Sequence, residues 1–122
     1  MDLFTGGEKM KPNRAEIHAK YNGRCAYCGQ EIKIERMQVD HIVPKRSGGT
    51  DEPSNLNPSC PACNNYKQGD NLGAFRFMLA NLLNKNRHYL YASKGKQNLA
   101  ENYGTVTYNN WDGVFYFERV SQ

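Results

Sequence analysis

The spacing of hydrophobic positions changes character several times along the chain. Residues 1–12 carry no period and are expected to form a flexible lead-in. From Asn13 a helical spacing begins, with Ile17 and Tyr21 four residues apart and Asn22-Gly23 as a stop signal, which predicts a short helix over 14–21. Residues 31–33 and 37–42 alternate apolar and polar side chains and predict two short strands. Residues 45–56 hold Ser47-Gly48-Gly49 and Pro53 and predict a loop, after which 63–68 suit one or two helical turns. The middle of the chain therefore predicts a ββα unit.

The last third has a different pattern. Asp70 is placed to cap a helix over 72–91, on which Leu72, Phe75, Leu79, Leu82 and Leu90 share one face, flanked by Met78 and Leu83. Phe77 falls on the opposite face, as an exposed aromatic or an intersubunit contact. After Gly104, residues 105–108 and 114–120 alternate around Asn109-Asn110-Trp111-Asp112-Gly113, which predicts a β-hairpin.

Composition narrows the class. A chain of 122 residues suits one compact domain, and 39% apolar residues with a mean hydropathy of −0.82 supply only a thin core. No apolar run approaches the roughly 18–20 residues that cross a bilayer, and Gly6, Gly7 and Glu8 interrupt the start where a secretory leader needs apolar side chains. Membrane and secretory roles are not expected, and the expected compartment is the cytoplasm. Sixteen Lys and Arg against twelve Asp and Glu give a net charge of +4. Residues 71–100 contain no acid, while Arg76, Lys85, Arg87, Lys94 and Lys96 are basic, which fits either a solvated face or a surface that tracks phosphates.

Four cysteines fall as two knuckles, Cys25-Ala26-Tyr27-Cys28 and Cys60-Pro61-Ala62-Cys63. In a reducing compartment such pairs point to metal, and two of them close a tetrahedral four-thiolate Zn²⁺ site. A thioredoxin-type redox pair would leave the second knuckle unexplained. Between the knuckles, Asp40-His41-Ile42-Val43-Pro44 ends a strand. A carboxylate beside an imidazole suits metal-assisted hydrolysis, the first to hold a hard cation and the second as base. Neighbours on a strand point to opposite faces, so Asp40 and His41 share a site only if the backbone bends there. Asn55 has the donors and acceptors to hold the loop.

In order, Cys-x-x-Cys-Gly, Asp-His-Ile-Val-Pro, Gly-Gly, Asn-Leu and Cys-x-x-Cys-Asn-x-x-Lys run from about Tyr21 to Leu72. This segment resembles the HNH (ββα-metal) endonucleases, in the branch with paired Cys-x-x-Cys zinc knuckles. The resemblance implies metal-dependent hydrolysis of nucleic-acid phosphodiesters, leaving a 3′-hydroxyl and a 5′-phosphate. It implies His41 as general base, Asp40 as metal ligand and Asn55 as the residue that steadies loop and base. The position after the last cysteine, commonly His in the family, is Asn64 here, so the chain is an H-N-N variant. Asp40 with Asn64 makes an oxygen-only site that favours Mg²⁺ or Mn²⁺ as the catalytic ion, with Asn65 as the competing ligand. Lys67 lies on the face of Asn64 and is a candidate for a substrate phosphate, together with Lys45, Arg46, Arg76 and Arg87.

These readings describe an α+β protein. A zinc-stapled HNH core over 13–72 follows the lead-in, and a C-terminal helix and hairpin over 73–122 pack with it in one domain. The expected partner is nucleic acid, with double-stranded DNA first, and the resemblance implies a setting in bacteria or phage-infected cells. The alternatives are a zinc-containing nucleic-acid-binding or inhibitor module that keeps the ββα shape without cleaving, and a purely structural zinc adaptor.

Overall fold

A computed structural model of the chain describes residues 13–85, 93–104 and 110–121. The expected lead-in over 1–12 lies outside the described residues. Asn13 caps α1 (Arg14–Ala19) by accepting from the Glu16 N–H at 2.8 Å. Asn22 at φ 57° and Gly23 at φ 80° then turn the chain out of the helix, as their sequence predicts. Lys20 ties this end to the rest, donating to the carbonyls of Pro53 at 2.8 Å and Leu56 at 2.6 Å.

The ββα unit forms, but one of its strands is not where alternation places it. Strand β1 (Gln38–His41) pairs antiparallel with β2 (Leu56–Ser59), in a register that sets Asp40 opposite Asn57 and His41 opposite Leu56. Residues 31–33 contribute only an isolated bridge, Glu31 to Arg24. A 3-10 turn, Ile34–Arg36, follows, and Arg14 grips it by donating to the carbonyls of Ile34 and Met37, each at 2.7 Å. Side-chain hydrogen bonding to those carbonyls takes the place of a strand partner. All four residues of β2 are buried, polar Asn57 and Ser59 included, and Pro58 within so short a run hides the strand from a sequence reading.

Helix α2 (Pro61–Lys67) starts on the second knuckle: Cys60 is its cap and Pro61 occupies the first helical position. Gln68 at φ 54° ends it. Helix α3 (Leu72–Ala80) is capped by Asn71, whose Oδ1 accepts from the Ala74 N–H at 2.8 Å, and not by Asp70, whose carboxylate pairs with Arg46. The α-helical pattern expected over 72–91 changes to a π turn at Asn81–Lys85, and residues 86–92 lie outside the described residues. Within this stretch Phe75, Leu79, Leu82 and Leu83 are buried while Phe77 is 70% exposed, on the opposite face as predicted.

The C-terminal part departs most from expectation. Lys94 and Lys96 belong to a helix of their own, α4 (Lys94–Asn102), capped by Ser93. The second arm of the expected hairpin is instead helix α5 (Tyr116–Val120), and its first arm, 105–108, lies outside the described residues. A strand over 114–120 fails because Glu118 folds back to accept from the Phe115 N–H at 2.9 Å and starts a helix. The chain before α5 is laid on the first knuckle, with the Tyr116 and Phe117 N–H groups donating to the carbonyls of Tyr27 and Ala26.

One aromatic cluster joins these pieces. Tyr27 meets Phe75, Phe115 and Phe117 edge-on at 5.4, 5.3 and 5.9 Å, and Phe75 stacks on Phe115 at 5.1 Å. Trp111 extends the cluster from Phe115 to Tyr103. Arg76 lies over the Phe115 ring and makes a two-pronged ion pair with Glu118, both N···O distances 2.7 Å. The protein is α+β, and no helix among the described residues is long and apolar enough to cross a membrane.

Candidate active site and metal centre

Two turns separated by 35 residues bring four thiols together because β2 delivers Cys60 beside the first knuckle, with the Ala26 N–H bonded to the Pro58 carbonyl at 2.8 Å. The Sγ atoms of Cys25, Cys28, Cys60 and Cys63 all lie within 4.8 Å of one another, and Cys28 and Cys60 are 3.8 Å apart. A tetrahedral ion with Zn–S bonds near 2.3 Å needs an S···S edge of about 3.8 Å. The donor set therefore fits Zn²⁺.

Its surroundings suit thiolates. Backbone N–H groups of Tyr27 and Cys60 point at the Cys25 sulfur, and that of Cys63 at the Cys60 sulfur, each at 3.4 Å. Burial opposes ionisation of Cys25, yet hydrogen bonds from Cys28, Cys60 and Cys63 together hold its thiol well below the ordinary range. Burial pushes the Cys63 thiol up. Two residues of the C-terminal part complete this shell: the Tyr103 hydroxyl lies 3.3 Å from the Cys63 sulfur and the Asn102 amide 3.8 Å from that of Cys60. Sequence reasoning missed both, since nothing local marks a residue 40 positions beyond the knuckle it serves.

The second centre is a cleft of about 240 Å³ at the end of β1, lined by Asp40, His41, Lys45 and Arg46 among others. The strand keeps regular pairing through His41, so Asp40 and His41 stay on opposite faces. Asp40, 5% exposed, turns inward to accept from the Tyr27 hydroxyl and from Lys67. The Lys67 side chain is fully buried, which corrects the expectation that it reaches a substrate phosphate. Its ammonium instead bonds the Asp40 carboxylate at 3.1 and 3.2 Å and the carbonyls of His41 and Asp70. Burial and the Asp40 charge push the Tyr27 hydroxyl far above its usual range.

His41 faces the other way, half-buried, with Nε2 2.7 Å from Oδ1 of Asp51. Lys45 donates to the second oxygen of Asp51 at 3.0 Å. Hydrogen bonds from His41 and Lys45 hold the Asp51 carboxyl below the usual carboxylate range. Asp51 was not foreseen. Its one sequence signal is an acid ten residues past the histidine, in a loop whose glycines and threonine suggest only a turn.

Asn55 pins that loop. Its Oδ1 accepts from the Val43 N–H at 2.8 Å, and its Nδ2 donates to the carbonyls of Val43 at 3.0 Å and Thr50 at 2.9 Å. Gly49 is pressed into the same turn, where a Cβ would fall 1.7 Å from the Val43 carbonyl oxygen. Asn64 is half-buried on α2, one turn before Lys67, while Asn65 is exposed toward a separate cavity shared with Ser93 and Lys96 of α4. Lys45 and Arg46 are exposed at the cleft, paired with Asp51 and Asp70. Arg76 is not free at the cleft margin as expected, because Glu118, the Gly113 carbonyl and the Phe115 ring take its guanidinium. Arg87 lies outside the described residues.

A helix that begins on the second of two metal-binding knuckles and packs back on an antiparallel pair, with a histidine where the first strand ends, is the arrangement of HNH nuclease domains. Residues 25–70 match the HNH endonuclease family, and this part of the chain is an HNH domain. Over 63 residues the chain is 38% identical to the CRISPR-associated endonuclease Cas9 of Corynebacterium diphtheriae, an alignment that covers 47% of this chain and 6% of that protein. The chain thus spans a small fraction of the length of this curated relative.

Proposed function

We propose that the protein is a metal-dependent endonuclease that hydrolyses DNA phosphodiester bonds, with His41 as general base. The observation that carries this reading is a part-exposed His41 ring at the end of β1, with one nitrogen held by a carboxylate that it shares with Lys45. The ring takes a proton from water as the water oxygen bonds to phosphorus. The bond to the 3′ oxygen breaks, and that oxygen is reprotonated from solvent. Lys45 and Arg46 bind the phosphate backbone without reading sequence. Asn55 keeps the loop closed over the base.

By the resemblance the Asp40 carboxylate and the Asn64 carbonyl would hold a hard divalent ion such as Mg²⁺ or Mn²⁺, which would supply Lewis-acid stabilisation of the developing charge, but Asp40 points inward on the face of β1 opposite His41 and would have to turn outward to do so. The ion meets a competitor, since the Lys67 ammonium already bonds both Asp40 oxygens. The thiolate cluster, with four sulfur donors, is structural and leaves no open position for water. Four thiols kept reduced on a metal suit the cytoplasm.

The contact between Lys67 and Asp40 favours one second reading, a zinc-containing module that binds nucleic acid without cutting it. Supercoiled plasmid incubated with the zinc-loaded protein and Mg²⁺ or Mn²⁺, with and without EDTA, separates the two. The nuclease reading expects metal-dependent nicking that His41→Ala lowers by roughly 10²–10⁴ with DNA binding retained. Binding without any cleavage, or a His41→Ala variant at the parental rate, refutes it.

A further inference from the structure

We infer that Asp51 is a positioning residue that fixes the tautomer of His41, so that Nε2 carries the hydrogen and Nδ1 presents the lone pair to the attacking water. The inference deepens the nuclease reading above and rests on it for its consequence in catalysis, though not for the tautomer itself.

Both oxygens of Asp51 are engaged. One faces His41 Nε2 at 2.7 Å, within the short range of a charge-assisted N–H···O bond, and the other takes the Lys45 ammonium at 3.0 Å. A carboxylate between an ammonium and an imidazole is ionised, and an ionised carboxylate has no hydrogen to give. The hydrogen between the pair therefore sits on Nε2. A neutral imidazole with Nε2 protonated has its only lone pair on Nδ1. Asp51 thus selects which nitrogen is the base and also limits rotation of the ring.

Asp51 is itself held by its loop. The Asn55 amide bridges the two ends of the loop, with Val43 on one side and the Thr50 carbonyl on the other. The Thr50 hydroxyl accepts from the Glu52 N–H at 3.3 Å, so the residues on both sides of Asp51 are bonded in place. Gly49 brings the chain against Val43 at a separation no side chain allows. Asn55 therefore acts on the base through the backbone that carries Asp51, without touching the ring. This links the two residues singled out as catalytic by their motif through a third that the motif reading left aside.

The test is ¹⁵N NMR of zinc-loaded protein labelled at histidine, recorded above the titration range of the ring and assigned with His41→Gln. The expected result is a protonated Nε2 and a bare Nδ1 for His41 in the parent. Asp51→Ala removes the acceptor and should give exchange between the two tautomers, whereas Asp51→Asn, which keeps an oxygen acceptor, should retain most of the Nε2–H form. In plasmid cleavage, Asp51→Ala should lower kcat by about 10–100-fold with KM little changed, and Asp51→Asn should recover part of the loss. A parent spectrum with Nδ1 protonated overturns the proposal, and so does an Asp51→Ala spectrum identical to the parent. If Asp51→Ala does not fold, the parent and Asp51→Asn spectra still decide it. Failure of the nuclease reading is separate, because it appears as an inactive parent or an active His41→Ala while the tautomer result stands.

Discussion

Replacing Lys67 by Met tests a buried ion pair at the centre of the described residues' ββα unit. The side chain has no exposed surface, and its ammonium bonds both oxygens of an Asp40 that is itself 5% exposed. Met fills most of the same volume, so little cavity term is added. What is lost is the counter-charge, after which, among the described residues, the Asp40 carboxylate keeps the Tyr27 hydroxyl as its side-chain donor. Breaking a buried pair from one side costs about 3–5 kcal/mol, because the remaining charge stays desolvated. Against a total stability of about 5–15 kcal/mol this is a large fraction, and it corresponds to a fall in Tm of about 10–20 °C. Urea unfolding of the zinc-loaded protein should show a lower midpoint at unchanged slope. Asp40→Asn added to Lys67→Met removes both charges, and the double variant should be less destabilised than the two single losses added together. The same substitution should leave the slope of log K against log salt for DNA binding unchanged, whereas an exposed phosphate contact would lower it by about 0.9. A loss below about 1 kcal/mol together with a lower salt slope would refute the placement of this ammonium in the interior.

Four further outcomes follow from the same geometry. Purified protein should hold about one Zn²⁺ per chain by elemental analysis, and its removal, or Cys25→Ser or Cys60→Ser, should abolish cooperative unfolding. Arg76→Ala should destabilise the fold by about 1–2 kcal/mol while DNA affinity and its salt slope stay at the parental values, since the guanidinium is already engaged by Glu118 and Phe115. The Arg76 hydrogen bonds hold the Glu118 carboxyl below its ordinary value of 4.5; the pair's contribution is therefore complete above that pH and lost as pH falls through the lower folded value, and Glu118→Gln should flatten this acid limb. Tyr103→Phe should fold normally yet release zinc faster to a colorimetric chelator, because one hydrogen bond to a cluster sulfur is gone.

The knuckles, the strand that ends at His41 and the helix that follows Cys60 were legible in the sequence because each is marked locally, by paired cysteines, by alternation or by a proline at a helix start. The second strand was not, since β2 is only four residues long and carries Pro58, which argues against a strand when read from sequence. Lys67 was misread for a related reason: a lysine is assumed exposed unless its partner is known, and Asp40 lies 27 residues earlier. Arg76 and Glu118 are 42 residues apart, and no spacing rule links a helix to an ion pair at that distance. The C-terminal alternation over 114–120 was real but short, and one glutamate bonded to a backbone N–H turned it into a helix.

The strap that crosses the first knuckle has a consequence for biosynthesis. The carbonyls of Ala26 and Tyr27 receive their partners from Phe117 and Tyr116, and the Tyr27 ring is enclosed by Phe115 and Phe117. An HNH domain that ends at residue 70 is therefore left with an open aromatic face until the ribosome has added the stretch around residue 117. At about 5–20 residues per second that interval is about 2–10 s, plus the time for the strap to clear the exit tunnel. Through that window the four thiols and the Tyr27 ring stand open to oxidants, foreign metals and chaperones. The stretch around residue 117, which carries none of the nuclease motif, sets the moment at which the domain can close.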